Sequence, residues 1–277
     1  MKRILFPTDF SETANNAFIH ALEFANAVQG ELILLHTFEL PVIDNQFFPQ
    51  NYMVMYESLE LAQFDMFKEE IPKLHAIALQ HNLGTVPMSH RLMDGSLLYN
   101  IEKAITEDKI NYVIMGTEGA TGWASFLLGS NTANVLDEID IPILSVPSQA
   151  VYRKVKTIGF TTRFRPKDKK ALKKVLKLAK LYHAVVKCLY VKTASSDVDT
   201  NLIEEWKAEF STEAVTFNVV LSDDIEGTIL DFILYKDIDI LTMLSYKRGF
   251  FEGIVNPSLT KKLTKNFEIP IFSFPIG

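Results

Sequence analysis

The feature that most constrains the fold is an order of apolar runs and helical patterns that occurs twice along the 277-residue chain. The segment Ile141–Pro147 returns as Ile269–Pro275, with identical residues at five of the seven positions. Further upstream, residues 4–10 correspond in the same way to residues 158–164. Near-continuous apolar runs that alternate with helical patterns are typical of parallel strands with helices on both faces of the sheet. The repeat therefore predicts two tandem α/β domains.

Each copy is predicted to contain five strands, and the two domains are predicted to span residues 1–149 and 154–277. The strands are expected at 3–8, 31–38, 86–92, 112–117 and 143–147 in the first copy, and at 156–162, 185–191, 216–222, 240–245 and 271–275 in the second. The last strand of each copy is short and apolar, which favours pairing between bare sheet edges. We therefore expect the two copies to form an internal pseudo-dimer about a local two-fold axis.

Helix signals lie between these strands. Ser11 is a plausible N-cap for a helix with an inner stripe of Ala17, Ala21, Leu22 and Ala25. Further helices are predicted at about 56–81, 96–107 and 167–181. The last of these is rich in lysine, which fits contact with an acidic partner or a membrane surface, although a solvated outer face is the simpler interpretation. The intervening segment 40–55 is interpreted either as a lid near a ligand or as packing over a domain interface.

The net charge of −6 conceals an asymmetry between the two halves of the chain. Residues 1–150 carry 7 basic and 19 acidic side chains, whereas residues 151–277 carry 21 basic and 15 acidic ones. The halves therefore attract each other or bind different partners. The overall acidity, together with the lack of a nucleic-acid-binding motif in the sequence, argues against nucleic acid as a partner.

The single cysteine, Cys188, excludes an intramolecular disulfide and fits a reducing compartment. No apolar run in the sequence is as long as a membrane span, and Asp9 follows the N-terminus too closely for a signal peptide. We therefore expect a cytoplasmic protein without a membrane partner.

A glycine pattern follows the fourth predicted strand. Gly116 and Gly119 are followed, after nine residues, by Gly129 and Ser130 at the start of a helical segment. A strand, a glycine-bearing loop and a helix start are typical of a phosphate site, because glycine permits close backbone approach and the free N–H groups point at the anion. The spacing differs from that of the Walker A and Rossmann loops. The alternative is that these glycines serve only turns and a helix C-cap.

Three motifs resemble the universal stress protein family. They are Ile-Leu-Phe-Pro-Thr-Asp-Phe-Ser at 4–11, Leu-Leu-His at 34–36, and the Met-Gly pattern that runs from Met115 to Ser130. The resemblance covers nearly the whole chain as two copies. It implies a HUP-like fold in which each copy is a doubly wound, five-stranded, mostly parallel sheet. It also implies that ATP lies across the carboxyl ends of the strands, where open α/β sheets bind ligands.

The resemblance further implies the residues of a nucleotide site in the first copy. Asp9 is expected beside the ribose or phosphates, Thr37 at the adenine edge through its backbone, and Met115 against the nucleoside. The full cofactor-binding set is Pro7, Thr8, Asp9, Thr37, Met115, Gly116, Gly119, Gly129, Ser130 and Thr132. The expected cofactor is ATP, or else ADP or AMP, together with Mg²⁺, and no catalytic residue is assigned.

Charge at this site departs from the usual family pattern. The residues between Gly119 and Gly129 include no Lys or Arg, while Asp9 and Glu118 add negative charge. A triphosphate would then depend on backbone N–H groups, the helix dipole and a divalent ion held by Asp9. The alternative role for Asp9 is to support the cap of the helix that follows Ser11.

The second copy has lost the glycine pattern and the acidic residue. Aligned through the repeated Ile-Pro pairs, Gly116, Gly119 and Gly129 become Leu244, Lys247 and Pro257. Aligned through residues 4–10 and 158–164, Asp9 becomes Arg163. Side chains then fill the space of the phosphates, and proline removes a backbone donor. We therefore expect only the first copy to bind nucleotide. Arg163 and Lys247 are interpreted either as solvated charges or as a site for another anion.

The residues predict a nucleotide-binding α/β protein, and the resemblance implies that it is an ATP-binding regulatory protein of the stress-response type. A homodimer of tandem chains is a further expectation. Two alternatives stay open. One is an interaction scaffold that binds no nucleotide, and the other is a slow ATP hydrolase or adenylate-transfer enzyme. Motifs typical of adenylate transfer are missing from the sequence, which disfavours the enzyme.

Overall fold

A computed structural model describes residues 1–40, 49–117, 135–245 and 269–275. The chain divides into two compact units, Met1–Gly116 and Thr117–Gly277. Each unit is built from a mostly parallel sheet whose strands alternate with helices along the chain. The mixed α/β class and the mostly parallel sheets predicted from the sequence are therefore confirmed.

The first unit contains four strands and three helices. In chain order these are β1 (Arg3–Pro7), α1 (Glu12–Ala27), β2 (Glu31–Phe38), α2 (Pro49–Gln80), β3 (Met88–Asp94), α3 (Leu97–Asp108) and β4 (Tyr112–Thr117), which ends at the unit boundary. The strands lie in the order β3-β2-β1-β4, with parallel pairing throughout. The sheet therefore grows outward from β1 on both sides, which is the doubly wound arrangement.

Helix α1 begins where the sequence predicts it. The hydroxyl of Ser11 accepts a hydrogen bond from the backbone N–H of Ala14, 3.2 Å away. Its inner stripe is fully buried, as the helical spacing of the apolar residues requires. The helix ends before Gly30, whose N–H donates to the carbonyl of Ala25.

Helix α2 begins at Pro49, seven residues before the predicted start. Proline suits the first turn of a helix because its fixed φ is helical and its missing N–H is not needed there. The sequence between 49 and 55 has no clear apolar stripe, so periodicity missed this turn. The rest of the segment interpreted as a lid, residues 41–48, lies outside the described residues.

The second unit contains six strands and three long helices among its described residues. These are β5 (Ile143–Pro147), β6 (Thr157–Thr161), α4 (Pro166–Tyr182), β7 (Val185–Lys192), α5 (Thr200–Glu209), β8 (Val215–Leu221), α6 (Ile225–Tyr235), β9 (Ile240–Ser245) and β10 (Ile271–Pro275). The strand order is β8-β7-β6-β9-β10-β5. Strands β6 to β9 thus repeat the order seen for β1 to β4 in the first unit.

All ten predicted strands are present, with ends within two residues of the predicted ones. The two apolar segments that repeat, β5 and β10, pair with each other antiparallel. Leu144 lies opposite Phe272 in this pairing, and both side chains are buried. The domain boundaries at 149 and 154 stay a prediction, as does the pseudo-dimer.

None of the helices in the described part of the chain is long and apolar enough to cross a membrane. Cys188 on β7 is buried, as its apolar surroundings in the sequence predict.

Candidate functional site

The candidate site lies at the carboxyl ends of β1, β2 and β4 in the first unit. Strand order reverses direction between β1 and β4, and ligands of open α/β sheets bind outside such a reversal. The ladder between these two strands extends to the pair Leu5–Val113. Pro7 and Met115 follow this pair by two residues on their strands, and both are buried.

The chain turns sharply after β1. The N–H of Thr8 donates to the carbonyl of Leu35 on β2 over 2.9 Å, so the sheet still holds this residue. The hydroxyl of Thr8 accepts the N–H of Phe10 over 3.0 Å. Phe10 has a φ of 62°, a left-handed conformation that turns the chain away from the sheet and into α1. The side chain of Thr8 thus fixes the turn that presents Asp9.

Asp9 is exposed at the tip of this turn. Its Oδ1 accepts the backbone N–H of Ser11 over 3.0 Å, a hydrogen bond that orders the approach to the helix. Its Oδ2 accepts no hydrogen bond from any described residue. The helix-capping role and the ligand-binding role of this carboxylate are therefore compatible, since each uses a different oxygen.

Thr37 and His36 occupy the end of β2. Thr37 is half-buried two residues beyond Leu35, which is the partner of Pro7 in the sheet. The imidazole of His36 is buried, and its Nδ1 lies 2.7 Å from the carbonyl of Thr8. The ring of Phe10 packs on the same imidazole with 5.0 Å between centroids. His36 therefore braces the turn and is a core histidine, as the sequence indicates.

Gly116 lies against the first turn of α1. A Cβ atom at this position would stand 3.0 Å from the carbonyl oxygen of Thr13, closer than a side chain normally approaches backbone. The glycine therefore lets the N-terminal turn of α1 sit directly on β4. This packing role was not predicted, and it places the positive end of a helix dipole beside the strand end.

Four residues of the predicted set lie outside the described residues, namely Gly119, Gly129, Ser130 and Thr132. Glu118 also lies outside them. The structure places Pro7 at the end of β1, Thr8 and Asp9 in the turn that follows, Thr37 near the end of β2, and Met115 and Gly116 near the end of β4. Within the described part of the chain, no cluster of three or more His, Cys, Asp or Glu could hold a metal ion.

Sequence reasoning missed one polar feature of this sheet edge. The chain after β3 turns at Gly95, whose φ is 104° and whose N–H donates to the carbonyl of Phe38 on β2. The amide of the buried Asn100 donates to the carbonyls of Asp94 and Gly95, both over 3.0 Å. The signal was the Asp-Gly-Ser triplet at 94–96, which is a strong turn and N-cap pattern.

The second unit contains the counterpart of the β1 turn after β6. The hydroxyl of Thr162 accepts the N–H of Phe164 over 2.9 Å, and Phe164 has a φ of 57°. Arg163 takes the place of Asp9 and is exposed. The predicted partner of Arg163 in an anion site, Lys247, lies outside the described residues, and so does Pro257.

Comparison with known proteins identifies the fold of these turns and strands. A sequence model described as the universal stress protein family matches residues 1–147. The chain belongs to the universal stress protein family.

Individual relatives agree with this assignment. Universal stress protein MJ0577 of Methanocaldococcus jannaschii is 29% identical over 152 residues, which are 52% of this chain and 94% of that protein. The crystal structure of a universal stress protein from Archaeoglobus fulgidus is 16% identical and superposes with a TM-score of 0.70, covering 99% of this chain and 98% of that one. At that identity, the second match shows a shared fold over both units.

One of the matched structures is a universal stress protein in complex with cAMP. That protein is 18% identical to this chain, with a TM-score of 0.39. That match covers 52% of this chain and 96% of the other protein.

Proposed function

We propose that the first unit binds a nucleotide, with ATP as the leading candidate, and that the protein acts as a regulatory member of its family without rapid turnover. The observation that carries this proposal is the turn after β1. It presents an exposed Asp9 carboxylate, with Oδ2 free of described partners, at the point where strand order reverses. A carboxylate in that position suits a ribose hydroxyl or a divalent ion bound to phosphates.

Two further features support the same site. Gly116 allows the N-terminus of α1 to approach the end of β4, so partial positive charge collects where an anion is expected. The sequence then continues into the glycine pattern that ends at Gly129 and Ser130, within the segment matched by the family model. We propose that Gly119, Gly129, Ser130 and Thr132 contribute the phosphate contacts and that Mg²⁺ accompanies the nucleotide.

We also propose that the chain is a tandem of two family domains, 1–149 and 154–277, which pair through their last strands. The antiparallel pairing of β5 with β10 supports this arrangement. Two such chains could then assemble into a homodimer, but the pairing of β5 with β10 does not require that assembly.

Mass spectrometry of small molecules released from natively purified, then denatured, protein tests the proposed function. Co-purified ATP supports a regulatory role, whereas ADP or AMP as the main species points to turnover and hence to the enzyme. If no nucleotide is released, titration of the same protein with a fluorescent ATP analogue follows, with ATP and cAMP as competitors. Failure of both experiments would leave the interaction scaffold as the better description, and displacement by cAMP alone would change the ligand class.

A further inference from the structure

The second unit holds a cavity at the carboxyl end of its sheet, next to the turn after β6. The turn contributes the polar lining of the cavity, including Thr162, Arg163 and Asp168. Strands β7 and β9 and helix α6 contribute the aliphatic lining, including Leu189, Met243 and Ile229. Because most of the lining is apolar, a bound molecule would gain from an apolar body.

Asp168 is the polar group of most interest in this cavity. The residue is completely buried at the first turn of α4. Its Oδ2 accepts three hydrogen bonds, from the hydroxyl of Thr162 and from the N–H groups of Arg163 and Arg165. These bonds explain why a carboxylate is present here, since they cap the helix and fix the turn.

The other oxygen of the same carboxylate has no hydrogen-bond donor among the described residues. Oδ1 of Asp168 is buried and accepts no hydrogen bond from any described residue. Buried polar atoms without a partner are rare and unfavourable, and they often mark a place for a missing ligand or water. The oxygen is an acceptor, so the group that completes it must be a donor.

The residues around this cavity do not suit a nucleotide. Leu244 lines it at the position that aligns with Gly116, where the first unit has no side chain at all. A buried carboxylate oxygen would also repel phosphate. The second unit thus keeps the location of a ligand site while the chemistry of its walls differs.

We infer that this cavity binds a small molecule with an aliphatic body and a terminal hydrogen-bond donor, of the primary amine or alcohol class. The donor group bonds to Oδ1 of Asp168, and the aliphatic body packs against Leu189, Ile229 and Met243. This site is distinct from the nucleotide site proposed for the first unit, and it does not depend on that proposal.

Three five-carbon probes with different head groups test the inference on the full chain: n-pentylamine, 1-pentanol and pentanoate. Binding is followed by the ¹³C-methyl resonance of Met243, assigned by its loss in Met243→Leu. We expect the amine or the alcohol to shift this resonance saturably and pentanoate to do so at least tenfold more weakly. Equal or tighter binding of pentanoate, or no saturable shift with any probe, would overturn the inference.

Two variants locate the binding. Asp168→Asn keeps one oxygen for the backbone N–H groups and converts the free acceptor into a donor, so binding of the protonated amine, which can only donate, should weaken at least tenfold. Asp199→Asn is the matched control, because Asp199 caps α5 in the same unit and does not line the cavity. Ile229→Phe fills the cavity without touching the cap, and it should also weaken binding. Unchanged affinity in Ile229→Phe would place the probe elsewhere and contradict the inference.

Discussion

The turn after β1 and the turn after β6 share one backbone and differ in charge. In both, a threonine N–H donates to a leucine carbonyl of the neighbouring strand over 2.9 Å, and the threonine hydroxyl accepts the N–H of a phenylalanine two residues on. Both phenylalanines have a left-handed φ, 62° for Phe10 and 57° for Phe164. Between them, however, Asp9 in the first turn is replaced by Arg163 in the second.

This comparison separates what the fold needs from what a ligand needs. The threonine and the phenylalanine recur because they form the turn that leads from a strand into a helix. The residue between the threonine and the phenylalanine makes no side-chain contact that is conserved in the second turn. Its charge can therefore differ between the two turns. The helix cap has changed as well, from the hydroxyl of Ser11 in the first unit to the buried carboxylate of Asp168 in the second.

The largest effect is expected where the two units differ most, in the glycine pattern. Gly119→Lys or Gly129→Ala should reduce ATP binding below detection, because a side chain blocks the approach of the phosphates to backbone N–H groups. The matched changes in the second copy, Lys247→Ala and Pro257→Ala, should leave affinity unchanged. Isothermal titration calorimetry measures both. A stoichiometry near two nucleotides per chain would show that the units are more alike than their sequences.

The two caps should differ in their contribution to stability. Asp168→Ala leaves three donors of the second turn without their acceptor, and we expect a loss of about 3 kcal/mol in the free energy of unfolding. Ser11→Ala removes a single capping hydrogen bond and should cost about 1 kcal/mol.

Urea unfolding followed by far-UV circular dichroism measures both losses. Trp206, which packs on Phe164, reports the second unit by fluorescence in a Trp123→Phe background. Equal losses in the two variants would mean that the fully buried cap and the half-buried cap contribute alike, which would contradict the expected difference between the turns.

Sequence predicted the strands well and the second turn poorly, for a physical reason. Strands such as β2 and β7 are covered on both faces, so their apolar runs are visible without knowledge of their neighbours. Asp168 stands among Lys167, Lys169 and Lys170, and the sequence there indicates a solvated helix. Its burial depends on the turn that folds back over it, which only the tertiary structure reveals. Pro166 at the first helical position, followed by an acidic residue at the third, was the available signal.

The same limit applies to the first unit. The position of Asp9 followed from its place after an apolar strand, but the contact of Gly116 with Thr13 depends on how α1 packs on β4. A glycine does not by itself indicate whether a ligand or a helix requires the space.

Because the charge is reversed between the two turns, we expect ATP binding at the first turn to depend on Mg²⁺. Asp9 and Glu118 leave the first site acidic, so ATP should bind more tightly with Mg²⁺ than without it. Asp9→Asn should weaken the Mg²⁺-dependent part of binding, and Glu118→Lys should strengthen Mg²⁺-free binding, each by about 1 kcal/mol. Arg163→Gln is the control in the second turn. ATP titrations of chelator-treated protein with and without Mg²⁺ decide the matter, and equal affinities would show that backbone donors suffice.

The smallest expected effect concerns α3 and α6, the helices that follow β3 and β8. Glu226 lies in the first turn of α6 and is only 3% exposed, whereas the corresponding turn of α3 begins with Leu97 and Leu98. Burial, and then the nearby carboxylate of Asp224, raises the pKa of Glu226 above its ordinary value of 4.5. The unfolded chain therefore loses this proton at lower pH than the folded one does. As pH rises from 4.5 through the raised pKa, ionisation of Glu226 lowers the free energy of unfolding.

Glu226→Gln removes this loss, so the free energy of unfolding of the variant, relative to that of the unchanged protein, should increase between pH 4.5 and 7. Urea unfolding across that range measures the difference, with the exposed Glu205→Gln as the control for loss of one charge. A difference that stays constant with pH, or grows toward acid, would show that the carboxylate is not disfavoured by its burial.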